Sequence, residues 1–196
     1  MEAAPWTAVA LSPDGKVGAA AGVGTGLLVF RPGEPTLRHR LDADAVALAM
    51  RDDGAAVAIL LADGTVRVVD AAKPGVAAWS AHAPEPVPGA PARVLFLHDG
   101  RVAVSVGARL LVTRPGYPDV APLVPPGPAD APPWLRLETD GPSLRAINTA
   151  GQAVTWVLDD ARELSRTPAL PTQITVADGP LLGNIDGVLL RLDPDE

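Results

Sequence analysis

The chain has 196 residues, 16 basic and 23 acidic side chains, a net charge of -7, 47% hydrophobic residues and no cysteine. That apolar content supports a packed core and excludes the disordered class, which combines low hydrophobicity with high charge. The acidic balance argues against a nucleic-acid binder, whose affinity rests on Lys and Arg. The missing cysteines exclude disulfide frameworks, thiolate metal sites and cysteine nucleophiles.

The opening Met1-Glu2-Ala3-Ala4-Pro5-Trp6 carries no positive charge and no apolar core, so it does not read as a signal peptide. No run approaches ~18 apolar residues, so no membrane span is expected. A cytoplasmic location is the expectation. Lysine occurs only at Lys16 and Lys73, against 14 arginines, in a chain rich in Ala, Gly and Pro. That usage resembles a GC-rich bacterial coding sequence.

In chain order, five of the seven Asp-Gly pairs recur at a near-constant spacing: Asp14-Gly15, Asp53-Gly54, Asp99-Gly100, Asp140-Gly141 and Asp178-Gly179, at intervals of 39, 46, 41 and 38 residues. Each follows a short strand-like run: 8–11, 46–50, 94–97, 134–137 and 174–176. Asp-Gly between apolar runs signals a hairpin, because Gly accepts positive φ and Asp tolerates it. Second runs such as Val57-Ala58-Ile59-Leu60-Leu61 are apolar throughout, as in a strand covered on both faces. Third runs follow, as in Thr65-Val66-Arg67-Val68-Val69. Gly and Pro interrupt every apolar run before ~10 residues, which disfavours helix.

A meander of short antiparallel strands repeating about every 40 residues is the pattern of β-propeller blades. The expected architecture is all-β: one small propeller over 1–196, with repeats at 7–42, 43–90, 91–132, 133–171 and 172–196. Residues 1–6 are expected to close the ring as the outermost strand of the last blade. The alternative is an open arc completed by another chain. Leu11-Ser12-Pro13-Asp14-Gly15-Lys16 and Leu61-Ala62-Asp63-Gly64-Thr65-Val66-Arg67-Val68-Val69-Asp70 resemble the first and third strand signatures of WD40 repeats. Val69 stands where that family usually has Trp, and its Gly-His dipeptide is absent. The resemblance implies a divergent, WD40-like propeller of about five blades.

The Pro-rich segments 80–92 and 115–133 break the strand pattern. They read as stiff connections or poor outer strands, because proline removes ladder donors. His39, His82 and His98 lie in different repeats without a metal-ligand spacing. No nucleophile elbow or dinucleotide motif occurs. Gly22-Val23-Gly24-Thr25-Gly26 leads into a strand and offers no helix N-terminus for a phosphate. The acidic pairs Asp52-Asp53 and Asp159-Asp160 sit in exposed turns. No enzyme, cofactor or metal is therefore expected.

Trp6 and Trp134 lie at first strands, Trp79 ends a blade and Trp156 lies in a third strand, with no position common to the repeats. Trp79 and Trp134 are expected to be exposed beside the Pro-rich loops. In a four-stranded blade, the loops joining strands two to three and four to the next blade share one face. His39, Arg40, Trp79, His82, Asn148 and Asn184 fall there and, with Trp134, form the expected partner surface.

The expected function is a non-enzymatic protein-interaction scaffold in a bacterial assembly. Small divergent propellers of this kind resemble components that accompany MoxR-type ATPases and von Willebrand A-domain proteins in conflict-related systems. That implies a partner role in an NTP-dependent assembly, with no ATP site on this chain; from charge and hydropathy, no membrane or nucleic-acid target is expected. The runner-up is a propeller that binds a small molecule or carbohydrate, with hydrolase activity as one form of it.

Overall fold

The computed structural model describes residues 6–113, 118, 120–123, 131–159, 162–169, 174–178, 181–184 and 189–191, the last three segments as backbone only. These residues build five antiparallel sheets and no helix long and apolar enough to cross a membrane. The first sheet holds β1 (Trp6–Leu11), β2 (Gly18–Gly22), β3 (Gly26–Phe30) and β4 (Leu37–His39). The second holds β5 (Ala45–Met50), β6 (Ala56–Leu61), β7 (Thr65–Asp70) and β8 (Lys73–His82). The third holds β9 (Ala92–Phe96), β10 (Val102–Val106), β11 (Arg109–Val112) and β12 (Ala121–Pro122). The fourth holds β13 (Trp134–Asp140), β14 (Ser143–Asn148), β15 (Ala153–Val157) and β16 (Glu163–Arg166), and the fifth β17 (Ile174–Asp178), β18 (Leu181–Asn184) and β19 (Leu189–Arg191). Each sheet is hydrogen-bonded in simple chain order.

Four of these Asp-Gly pairs work as the sequence suggests; Gly179 of the fifth lies outside the described residues. Gly15, Gly54, Gly100 and Gly141 have φ of 68°, 68°, 84° and 53°, a region that costs other residues about 1–2 kcal/mol. The preceding aspartate also locks three of these turns. Lys16 N–H donates to Asp14 Oδ1 (3.0 Å), Ala55 N–H to Asp53 Oδ1 (2.9 Å) and Arg101 N–H to Asp99 Oδ1 (3.0 Å).

The sheets stack face to face through their strand alternation. In β6 all six residues are buried. Val57, Ile59 and Leu61 face the first sheet and meet Ala19, Ala21, Leu27 and Val29. Ala56, Ala58 and Leu60 face the third and meet Val94, Val102, Val104 and Leu111. The third and fourth sheets are joined by Ala103, Leu110 and Val112 against Leu144, Ala146, Val154 and Trp156. β1 lies against β5, β5 against β9, β9 against β13 and β13 against β17, so the first strands of the sheets run around a common axis. This is a succession of β-propeller blades. Trp6 belongs to β1, paired with Gly22; residues 1–5 of the expected closing strand lie outside the described residues.

Candidate partner interface

The loops joining second to third strands and those joining successive blades do share one face. Ala83 N–H donates to Gly64 O (2.8 Å), Trp134 N–H to Gly107 O (2.9 Å) and Thr149 N–H to Pro133 O (2.9 Å). On this face Gly22, Gly24 and Gly26 line a cleft of about 360 Å³ with His39, Arg40 and Asp44. Gly26 has φ 73°, and a Cβ there would collide with the His39 carbonyl, so only glycine lets the two loops approach this closely. Asp44 closes the cleft by accepting from Gly24 N–H (2.9 Å).

The other expected partner residues are not gathered with His39 and Arg40. Trp79 is half-buried in β8 and packs against the core between the second and third blades. His82 is exposed at the end of β8, its N–H donating to Pro118 O (2.7 Å). Asn148 is buried, and its Oδ1 accepts from Ala150 N–H (3.0 Å) and Gln152 N–H (3.1 Å); it shapes a turn. Asn184 ends β18; its side chain lies outside the described residues.

The expected exposure of Trp134 does not hold. It is 7% exposed, its indole N–H donates to Ala108 O (2.9 Å), and its ring meets Trp156 edge-on at 5.6 Å. The neighbouring blade covers it, which its place beside a Pro-rich loop did not reveal.

The opposite face carries a cleft of about 720 Å³ where the turns at Asp53, Asp99 and Asp140 converge. Two of its acids, Asp53 and Asp99, are engaged within their own turns. Asp53 accepts from Arg51 Nε (2.8 Å) and Asp99 from Arg101 Nε (2.6 Å). The Arg51 guanidinium and Ala55 N–H hold the Asp53 carboxyl below its ordinary range. Burial works to raise that of Asp99, but the bonds from Arg101 outweigh it and the carboxyl also lies low. Such paired, charged carboxylates brace hairpins and lack the raised pKa of a general acid.

One apolar cluster was missed by sequence reasoning. Trp6, Val9, Leu11 and Phe30 are 51%, 61%, 58% and 37% exposed. Val9 pairs with Ala20 and Ala20 with Leu28; Leu11 pairs with Gly18 and Gly18 with Phe30, so all six residues share one face of the first sheet. It is the face turned away from the second blade. The run Ala8-Val9-Ala10-Leu11 signals the strand, but not which of its faces a neighbour covers.

No known family profile matches the sequence, and no curated protein is similar to it. Among solved structures, the chain resembles the beta-propeller domain of Cps50 (Swd1) from Myceliophteria thermophila, with a TM-score of 0.72 at 13% identity. The match covers 96% of this chain but 66% of that one, so the protein spans about two thirds of that propeller domain.

Proposed function

We propose that this protein is a non-enzymatic interaction module: a rigid stack of blades that binds a protein partner through the uncovered face of its first sheet. One observation carries the reading, the cluster of Trp6, Val9, Leu11 and Phe30 left in solvent on a regular sheet. Contiguous exposed apolar surface is a marker of interaction sites, and Trp is enriched among residues that dominate binding. The loop cleft lined by His39 and Arg40 is the secondary contact surface. The finer reading is a bacterial, cytoplasmic component that serves a MoxR-type ATPase or a von Willebrand A-domain protein in a conflict or defence system. Its support is the resemblance of the sequence to such propellers.

The test is affinity purification of the tagged chain from its own host, in parallel with Leu11→Glu and with His39→Ala/Arg40→Ala, followed by native mass measurement. The reading expects a stoichiometric protein that is lost from Leu11→Glu and weakened by the double variant. A partner retained equally by all three, or none from the unaltered chain, overturns it.

A further inference from the structure

The fourth blade shows what the first blade lacks. Trp134 opens β13 opposite Asn148, the last residue of β14; Trp6 opens β1 opposite Gly22, the last residue of β2. The pairing shifts just after each Trp, at Trp134/Arg136 and at Trp6/Ala8. The two tryptophans therefore occupy one repeat position, and the correspondence continues across both sheets. Leu137 matches Val9, Ala146 matches Ala20, and Trp156, opposite Leu144, matches Phe30, opposite Gly18. In the fourth blade this face is sealed by the third: Trp134, Leu137, Ala146 and Trp156 are 7%, 9%, 0% and 2% exposed. The seal includes a backbone carbonyl, Ala108 O, that accepts from the Trp134 indole. In the first blade Trp6, Val9 and Phe30 at these positions are exposed and Ala20 is half-buried.

We infer that the first blade takes a preceding blade supplied by a partner polypeptide: a twisted antiparallel sheet with an apolar face and a turn carbonyl placed for the Trp6 indole N–H. The proposal rests on the interaction-module reading and names the chemistry of its partner. Two observations favour a blade over a second copy of this chain. The likeness to a longer propeller domain places these sheets in about two thirds of such a domain, which leaves room for more blades. One sheet face of four strands, each of about five residues, also offers only about 300 Å² of flat area. A symmetric pair buried through it alone falls well short of the ~800 Å² per partner of a standard interface. A blade seated in register adds loop and neighbouring-strand contacts, as the third blade does for the fourth.

The probe is a blade the protein already has. A copy of residues 91–133, which naturally precede Trp134, is fused directly ahead of Trp6 in the full chain. The proposal expects Tm to rise by about 5 °C or more, acrylamide quenching of tryptophan emission to fall, and Leu11→Glu to abolish both changes. In the unfused chain, where Leu11 is exposed, Leu11→Glu should leave Tm unchanged. A fusion with unchanged Tm and quenching overturns the proposal. A monomer–dimer equilibrium of the unfused chain lost in Leu11→Glu assigns the face to a second copy and also overturns it. A large loss of Tm from Leu11→Glu in the unfused chain shows the face covered internally, with the same consequence. An inert fusion, with a host partner still lost from Leu11→Glu, would refute the blade while leaving the interaction module standing.

Discussion

Truncating two leucines on opposite faces of the first blade separates a stacked face from an open one. Leu27 in β3 is fully buried among Ala19, Ala21, Ile59 and Leu61. Leu27→Ala removes three carbons and leaves a cavity whose walls are held in strand ladders and cannot readily collapse. Leucine-to-alanine changes at such sites cost about 3–5 kcal/mol, and in a domain of this length each kcal/mol lowers Tm by about 2–4 °C. The expected fall is therefore about 6–20 °C. Leu11, on the other face, is 58% exposed, so Leu11→Ala opens no enclosed cavity and should cost under about 1 kcal/mol. Urea unfolding followed by far-UV circular dichroism, at two protein concentrations, gives both values. Equal losses for the two variants would show that the outer face is covered in the isolated chain, and would refute the assignment of that face as free.

Three further outcomes follow from the blade architecture. Thr113 is fully buried and its Oγ1 accepts from Val102 N–H (2.7 Å), so Thr113→Val strands a buried donor and should cost about 1–3 kcal/mol by chemical denaturation; Thr113→Ser, which keeps the acceptor, should cost less. Gly15 and Gly64 both have positive φ, but a Cβ at Gly15 meets open space while one at Gly64 collides with the Ala83 carbonyl. Gly15→Ala should cost about 1 kcal/mol and Gly64→Ala at least about 2 kcal/mol; equal Tm shifts would contradict the loop packing. The bond from Lys16 N–H, then those from the Ser12 hydroxyl and the Lys16 ammonium, hold Asp14 down at about 2, and Arg67 likewise lowers Asp42. Because these folded-state values lie below the ordinary carboxylate value near ~3.9, the stability they contribute is fully present above about pH 4 and is lost as pH falls toward 2. The urea midpoint should therefore drop across that window, and less so in Asp14→Asn.

The blades were legible because their signals are local. Asp-Gly pairs fix the hairpins, and the unbroken apolar run of Val57–Leu61 announces a strand covered on both sides. What joins one blade to the next is not local. Trp134 stands beside a Pro-rich stretch and reads as exposed, yet Ala108 and Trp156 enclose it. Asn148 reads as a binding residue and is spent on its own turn. Trp6 and Trp134 share a repeat position that spacing alone concealed, because Asp14 lies eight residues beyond Trp6 and Asp140 only six beyond Trp134. The exposed face of the first blade could not be read from composition at all: Val9, Leu11 and Phe30 are as apolar as buried residues, and only their exposure in the folded chain sets them apart.

The most direct measurement is oxidative footprinting of the isolated chain by hydroxyl radicals, read residue by residue by mass spectrometry. The four tryptophans serve as internal standards for one another. An open first blade predicts heavy modification of Trp6, with Leu11 and Phe30 also labelled, beside protected Trp134 and Trp156. Protection of Trp6 to the level of Trp134 would mean that this face is already sealed, and would contradict the account.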